Sequence, residues 1–181
     1  ERVIAGQGTA GLEITQQLNS IERELDMFFC CCGGGGLMAG TALALSEHFK
    51  KAELYTVEPD GLDDTARSLS AGKRQTNDPS ARSICDAIVT PSPGLLTFPI
   101  IQSKAAGGKV VTDEEALSAM KTAWDYFKLT VEPGGAVALA ASLKQEVIAS
   151  HTGDKRKTVV AILSGGNCDQ DIFARALAAP T

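Results

Sequence analysis

The sequence predicts an α/β fold: an open, mostly parallel sheet with helices on both faces. Three observations lead there. Apolar runs of strand length, "MFFCCC" (27–32), "ELYTVEP" (53–59) and "KTVVAILSGG" (157–166), show no polar alternation, so both faces of their strands need a cover. Segments of helical character separate them, the order that produces parallel crossovers. Glycine clusters sit at the carboxyl ends of the expected strands, where an open parallel sheet binds its ligands.

The elements follow in order. "RVIAGQGTAGLEITQQL" (2–18) predicts a strand, a glycine turn and a helix. "MFFCCC" predicts a buried strand, and "LMAGTALALSEHFK" (37–50) the helix after it. "ELYTVEP" is a strand stopped by Pro59, with a short helix over 61–72. Residues 73–94 are polar and proline-containing, hence largely loop. "KVVT" (109–112) is a short strand. "DEEALSAMKTAWDYF" (113–127) is an amphipathic helix with Thr112 or Asp113 as its N-cap. "GGAVALAASLKQEVIAS" (134–150) is a further helix, "KTVVAILSGG" a buried strand running into glycine, and a last short helix follows. No internal repeat or linker divides the chain, so residues 1–181 are expected to be one α/β domain.

Composition removes several classes of function. The formal net charge is −5, which argues against a nucleic-acid partner, since that needs a basic patch. No apolar run is long enough to span a membrane, so no membrane partner is expected. The five cysteines are Cys30, Cys31, Cys32, Cys85 and Cys168. Three adjacent cysteines cannot frame disulfides, and no C-x-x-C pair suggests zinc. They are expected to be reduced, buried hydrophobes, with a cytoplasmic location to match. His48 and His151 fall late in, or just after, helices and are expected to have surface roles near the C-terminal dipole.

The glycine clusters carry the chemistry: "GQGTAG" (6–11), "GGGG" (33–36), "EPGG" (132–135) and "SGGN" (164–167). Four consecutive glycines exceed what a tight turn needs. They let the backbone approach a ligand, and the helix that follows offers free N–H groups to an anion. "CCCGGGGLMAG" is therefore built like a phosphate cradle. "GQGTAG" matches the dinucleotide fingerprint G-x-G-x-x-G, but the next strand ends in Cys32 and glycine where an acid is needed. No GK[ST] follows any cluster, which removes the P-loop.

"CCCGGGGLMAG", "YTVEP", "LTVEPGGAVALAA" and "ILSGGNCD", in this order and spacing, together with "GQGTAGLEI", resemble the threonine/serine dehydratase family of pyridoxal-phosphate enzymes, which includes serine racemase and 3-hydroxyaspartate dehydratase. The resemblance spans essentially the whole chain. It implies fold type II, and it implies that this chain is the C-terminal part of the large domain of a protein nearly twice as long. The small domain and the lysine-bearing N-terminal part would lie elsewhere. It further implies pyridoxal 5'-phosphate as cofactor, a hydroxy-amino acid as substrate, a homodimer, and dehydration and deamination to a keto acid and ammonia. A racemase or hydroxyaspartate dehydratase would use much the same half-site, and a non-catalytic phosphate-binding or interaction fragment is the reading of a different class.

The resemblance also assigns residues. Gly33, Gly34, Gly35, Gly36 and Leu37 would hold the cofactor phosphate through backbone N–H groups. Ser164 matches the residue that bonds the pyridine nitrogen; a hydroxyl there, unlike an aspartate, leaves that nitrogen unprotonated and suits β-elimination. The alternative for Ser164 is a strand-end cap. Glu132 would face the same crevice and tune the cofactor, or stand as a solvated acid before a proline-started helix. In "EPDGLDD", Glu58, the carbonyl of Leu62 and Asp64 match a divalent-cation loop, and hard oxygen ligands suit Mg²⁺ or Ca²⁺. The alternative there is an acid-rich helix N-terminus. The family's cofactor-bearing lysine lies well before the tetraglycine loop, yet no lysine precedes Gly33 and all ten lie after it. The 181 residues alone are therefore expected to be inactive. Apolar surface on "MFFCCC" and around Leu43 would need the missing part or a partner to cover it.

Overall fold

A computed structural model of the chain describes residues 1–149 and 156–180; His151 lies outside the described residues. The elements are α1 (Arg2–Ser20), β1 (Met27–Cys31), α2 (Gly36–His48), β2 (Glu53–Pro59), α3 (Asp64–Ala71), α4 (Thr97–Lys104), β3 (Gly107–Val111), α5 (Asp113–Thr122), α6 (Pro133–Ser142), α7 (Gln145–Ala149), β4 (Val159–Ala161) and α8 (Gln170–Leu177). The four strands form one sheet in the order β3-β2-β1-β4, and every pairing is parallel.

β1 shows why its sequence is continuously apolar. Met27, Phe29 and Cys31 point into one core with Met120, Val137 and Ala138, under α5 and α6. Phe28, Cys30 and Cys32 point into the other with Met38, Leu45 and Ile101, under α2 and α4. Alternate side chains of one strand thus serve two cores. Phe28 and Phe29 are fully buried, which corrects the expectation that this run would need an outside cover. Leu43 does stay exposed, at 41%.

The largest correction concerns residues 2–18. The expected strand and glycine turn are a single helix, α1. Gly8 and Gly11 do not form a loop but a contact stripe against α2. A Cβ on Gly11 would stand 2.9 Å from the carbonyl oxygen of Thr41, and one on Gly40 would lie 2.7 Å from the Gly8 nitrogen. Two helices meet backbone to backbone there, and only glycine leaves room. The local cost of glycine in a helix, about 1 kcal/mol each, is offset by close packing.

Elsewhere the elements fall near their expected places. Thr112 is the N-cap of α5 and forms a capping box: its Oγ1 accepts from Glu115 N–H (3.1 Å), and the Glu115 carboxylate accepts from Thr112 N–H (2.8 Å). Beyond Thr122 the helix loosens into a π turn over Ala123–Phe127. The helix expected over 134–150 breaks after Ser142 and resumes as α7. The strand expected over 157–166 is shorter, because within the described residues β4 has a ladder only to β1. Residues 73–94 are loop with one 3₁₀ turn at Asp86–Ile88. His48 is exposed in the last turn of α2, as expected. No helix among the described residues is long and apolar enough to cross a membrane. The five cysteines are free, and all but Cys168 are buried.

Candidate functional site

In the sheet, β1, β2 and β3 succeed one another in one direction, while β4 lies on the opposite side of β1. The order reverses between β1 and β4, and a crevice opens beyond the carboxyl ends of strands at such a point. Two of the glycine clusters meet there. The chain leaves β1 into Gly33–Gly36 and α2, and it leaves β4 into Ser164–Gly166.

Each glycine of the tetraglycine loop has its own reason. A Cβ on Gly33 would sit 2.8 Å from the Ile88 carbonyl oxygen. Gly35 is the N-cap of α2 in the left-handed region, φ +83°, and a Cβ there would meet Ile101 Cδ1 at 2.7 Å. A Cβ on Gly36 would press on Val3 at 3.1 Å. Gly34 differs: a Cβ there meets no atom within 4 Å. Packing explains three of the four, and the fourth faces open space. The loop is braced from below, since the Gly34 carbonyl accepts from Thr97 Oγ1 (2.6 Å) and from Gly94 N–H (3.3 Å). The first bond of α2 runs from Ala39 N–H to the Gly35 carbonyl (2.9 Å). The N–H groups ahead of Ala39, including that of the half-buried Leu37, are the free donors of a helix start, at its positive dipole end. A cradle of this form fits a phosphate monoester.

Ser164 is exposed, three residues beyond the end of β4. Its Oγ lies 3.1 Å from Cys31 Sγ at the end of β1. Cys31 was not foreseen as part of the site, because the triple cysteine carries no spacing signal. Hydrogen bonding with the Cys30 side chain, opposed by burial and aided by the bond to Ser164, brings its thiol down to about 7. Cys30, hydrogen-bonded and buried, is pushed well above the usual thiol range, and burial takes Cys85 up to about 12. Of the three adjacent thiols, Cys31 alone contacts Ser164.

Glu132 is the N-cap residue of α6, directly before Pro133. Its N–H donates to the Gly165 carbonyl (2.9 Å), and its Oε2 accepts from Asn167 N–H (3.2 Å). A Cβ on Gly165 would strike the Glu132 carboxylate. The acid therefore clamps the Ser164–Asn167 loop, and it is half-buried where the sequence alone left open a solvated acid. It also borders a cavity of about 410 Å³ with Ser83, Asp86, Asn167 and Asp169.

The metal expectation is not supported. Glu58 is fully buried, and its two oxygens accept from Thr65 N–H and Ala66 N–H, both at 2.8 Å, so it caps the start of α3. Asp64 Oδ1 accepts from Asn77 Nδ2. Of the four carboxylate oxygens of Glu58 and Asp64, Asp64 Oδ2 is the one buried without a partner. Leu62 is buried, its N–H donating to the Pro59 carbonyl (3.1 Å). Among the described residues no three metal-type side chains converge. One open carboxylate oxygen is not a cation cage, and the acid-rich helix start accounts for the motif. Burial pushes the Glu58 carboxyl up to about 8, against the two N–H bonds that favour its charged form. Burial likewise pushes Asp64 up to about 6.

Known proteins resemble this chain in sequence and fold. Residues 1–165 match the family described as pyridoxal-phosphate dependent enzyme, and the chain belongs to that family. Serine racemase of Dictyostelium discoideum is 40% identical over 179 residues, covering 97% of this chain and 52% of that protein. The beta-hydroxyaspartate dehydratase of Paracoccus denitrificans is 34% identical, covering 94% of this chain and 50% of that one. The crystal structure of a T.th. threonine deaminase superposes with a TM-score of 0.82 at 37% identity, over 92% of this chain and 58% of that one. The chain thus spans about half the length of the curated relatives it matches. The open parallel sheet is that of fold type II.

Proposed function

We propose that this member of the pyridoxal-phosphate family forms the phosphate- and ring-binding half of an enzyme that dehydrates and deaminates a hydroxy-amino acid such as L-serine or L-threonine. The observation that supports the reading is the tetraglycine loop, open at Gly34 and following β1 at the β1–β4 switch point, where Ser164 beyond β4 contacts Cys31. The cofactor, when bound, supplies an electron sink for the substrate α-carbon. This chain's own residues bind and orient it. The N–H groups of Gly33–Gly36 and Leu37 hold the phosphate dianion. The Ser164 hydroxyl donates to the ring nitrogen and leaves it uncharged, which moderates the sink and favours loss of the β-hydroxyl. Glu132 keeps Ser164 in register by clamping the loop behind it.

A second reading has its own support. Relatives of 40% and 34% identity include serine racemases as well as a dehydratase. The same cradle and ring contact would serve racemisation, with re-protonation from the opposite face. The lysine that carries the cofactor is proposed to lie outside these 181 residues, since Gly33 is preceded by none.

The test uses the full-length protein. Added pyridoxal phosphate should give a visible absorption band that borohydride fixes irreversibly. With L-serine, keto acid and ammonia mark the dehydratase, and D-serine marks the racemase. A protein that takes up no cofactor would refute both readings and leave a non-catalytic anion-binding fragment.

A further inference from the structure

Cys31 and Ser164 share one contact at the floor of the crevice. The two strands are in parallel register, with Phe29 opposite Ala161, and Ile162 N–H donates to the Phe29 carbonyl (3.1 Å). This register brings Sγ and Oγ to 3.1 Å. Each group has one proton to give, and only one proton fits between them. If the serine donates, its hydroxyl is spent on sulfur and only lone pairs face the crevice. If the thiol donates, the serine proton is free for an acceptor in the crevice. Cys31 is nearly buried while Ser164 is exposed, so the serine can turn to a partner in the crevice, whereas the thiol's other neighbour is the Cys30 side chain.

We propose that Cys31 is a positioning residue: its thiol donates to Ser164 Oγ and so frees the serine hydroxyl proton for a ring-nitrogen acceptor in the crevice. This rests on the function proposed above. The groups around Cys31 are Cys30 and Cys32 beside it in the chain, Cys85 from the loop over 73–94, Glu132 at the start of α6, and Ser164. The Cys30 bond, and after it the Ser164 bond, favours a negative sulfur, while burial and the charge of Glu132 oppose it. The balance leaves the thiol close to neutrality, at about 7. Above that pH the sulfur is an acceptor only, captures the serine proton, and the crevice loses its donor.

The experiment compares wild type, Cys31→Ser, Cys31→Ala and Ser164→Ala in the full-length protein. Cofactor dissociation constants and absorption maxima are measured from about pH 6 to 8.5, spanning the ordinary and lowered thiol ranges. Wild type should bind about 5-fold more weakly above the inflection than below it, the effect of one hydrogen bond. Cys31→Ser keeps a donor that does not ionise in this range, so it should bind tightly throughout. Cys31→Ala and Ser164→Ala should be about 5-fold weaker at the acid end and lose the inflection. Cofactor binding with an inflection that survives Cys31→Ser, or with Cys31→Ala equal to wild type, would overturn the inference and leave the proposed function standing. Absence of bound cofactor in wild type would overturn both. A separate arm needs no cofactor: the pH midpoint of Cys31 alkylation, followed by peptide mapping, should rise in Ser164→Ala. An unchanged midpoint would show that the contact does not form.

Discussion

Gly34→Asp is the sharpest probe of the cradle, because Gly34 is the loop position where a side chain costs the fold least. Its φ lies outside the left-handed region, which among the loop glycines only Gly35 occupies, and a Cβ there meets no atom within 4 Å. The new carboxylate would stand where the phosphate is proposed to lie. Two unit charges about 4 Å apart repel by about 1 kcal/mol in water and about 4 kcal/mol near a protein surface. A phosphate dianion doubles both figures, and an open crevice lies between them, so the loss is on the order of 4 kcal/mol, or about 10³-fold in affinity. Gly34→Ala carries the steric part without the charge and should lose far less. The assay is a fluorescence titration of the full-length protein with pyridoxal phosphate, and with inorganic phosphate as a simpler anion. Circular dichroism and a melting curve check that the fold is retained. Equal affinity in wild type and Gly34→Asp would refute the placement of the phosphate.

Ser164→Ala should weaken cofactor binding by about 1 kcal/mol and lower turnover by more; an unaltered cofactor spectrum and rate would reduce Ser164 to a strand-end cap. Gly40→Ala should destabilise the fold by about 2 kcal/mol or more through overpacking of α1 on α2, while Gly6→Ala, where a Cβ meets nothing, should be neutral or slightly stabilising in urea melts. Stability should fall as pH rises toward 8: burial raises Glu58 to about 8 and Asp64 to about 6, so folding takes up protons, and the contribution is complete below the ordinary carboxyl range and lost through the raised values. Asp64→Asn should flatten the part of that slope below about pH 6, and a wild-type urea midpoint that stays unchanged from about pH 4 to 8 would contradict it. Residues 1–181 expressed alone should show no turnover of L-serine, L-threonine or 3-hydroxyaspartate with added cofactor; turnover would place the cofactor-bearing lysine within this chain.

The sequence by itself determined the parallel α/β sheet, because continuously apolar strands can only be covered on both faces, and β1 does feed two cores. It also placed the start of α5 at Thr112 or Asp113, a signal carried within four residues, and the structure makes Thr112 the cap. It singled out the tetraglycine loop proposed as the phosphate cradle, since four glycines before a helix are a purely local pattern, and its motifs resembled the family to which the chain belongs. Tertiary structure decided the rest. Gly8 and Gly11 look the same whether they bend a loop or seat a helix; the packing of α2, beyond β1, makes the choice. The "EPDGLDD" acids read equally as ligands or as a helix cap, and only the closing of α3 onto Glu58 commits that carboxylate to Thr65 and Ala66. Cys31 is indistinguishable from its two neighbours in the sequence. It meets Ser164 because β4 pairs with β1 in one particular register, a contact between residues 133 positions apart that no local pattern encodes.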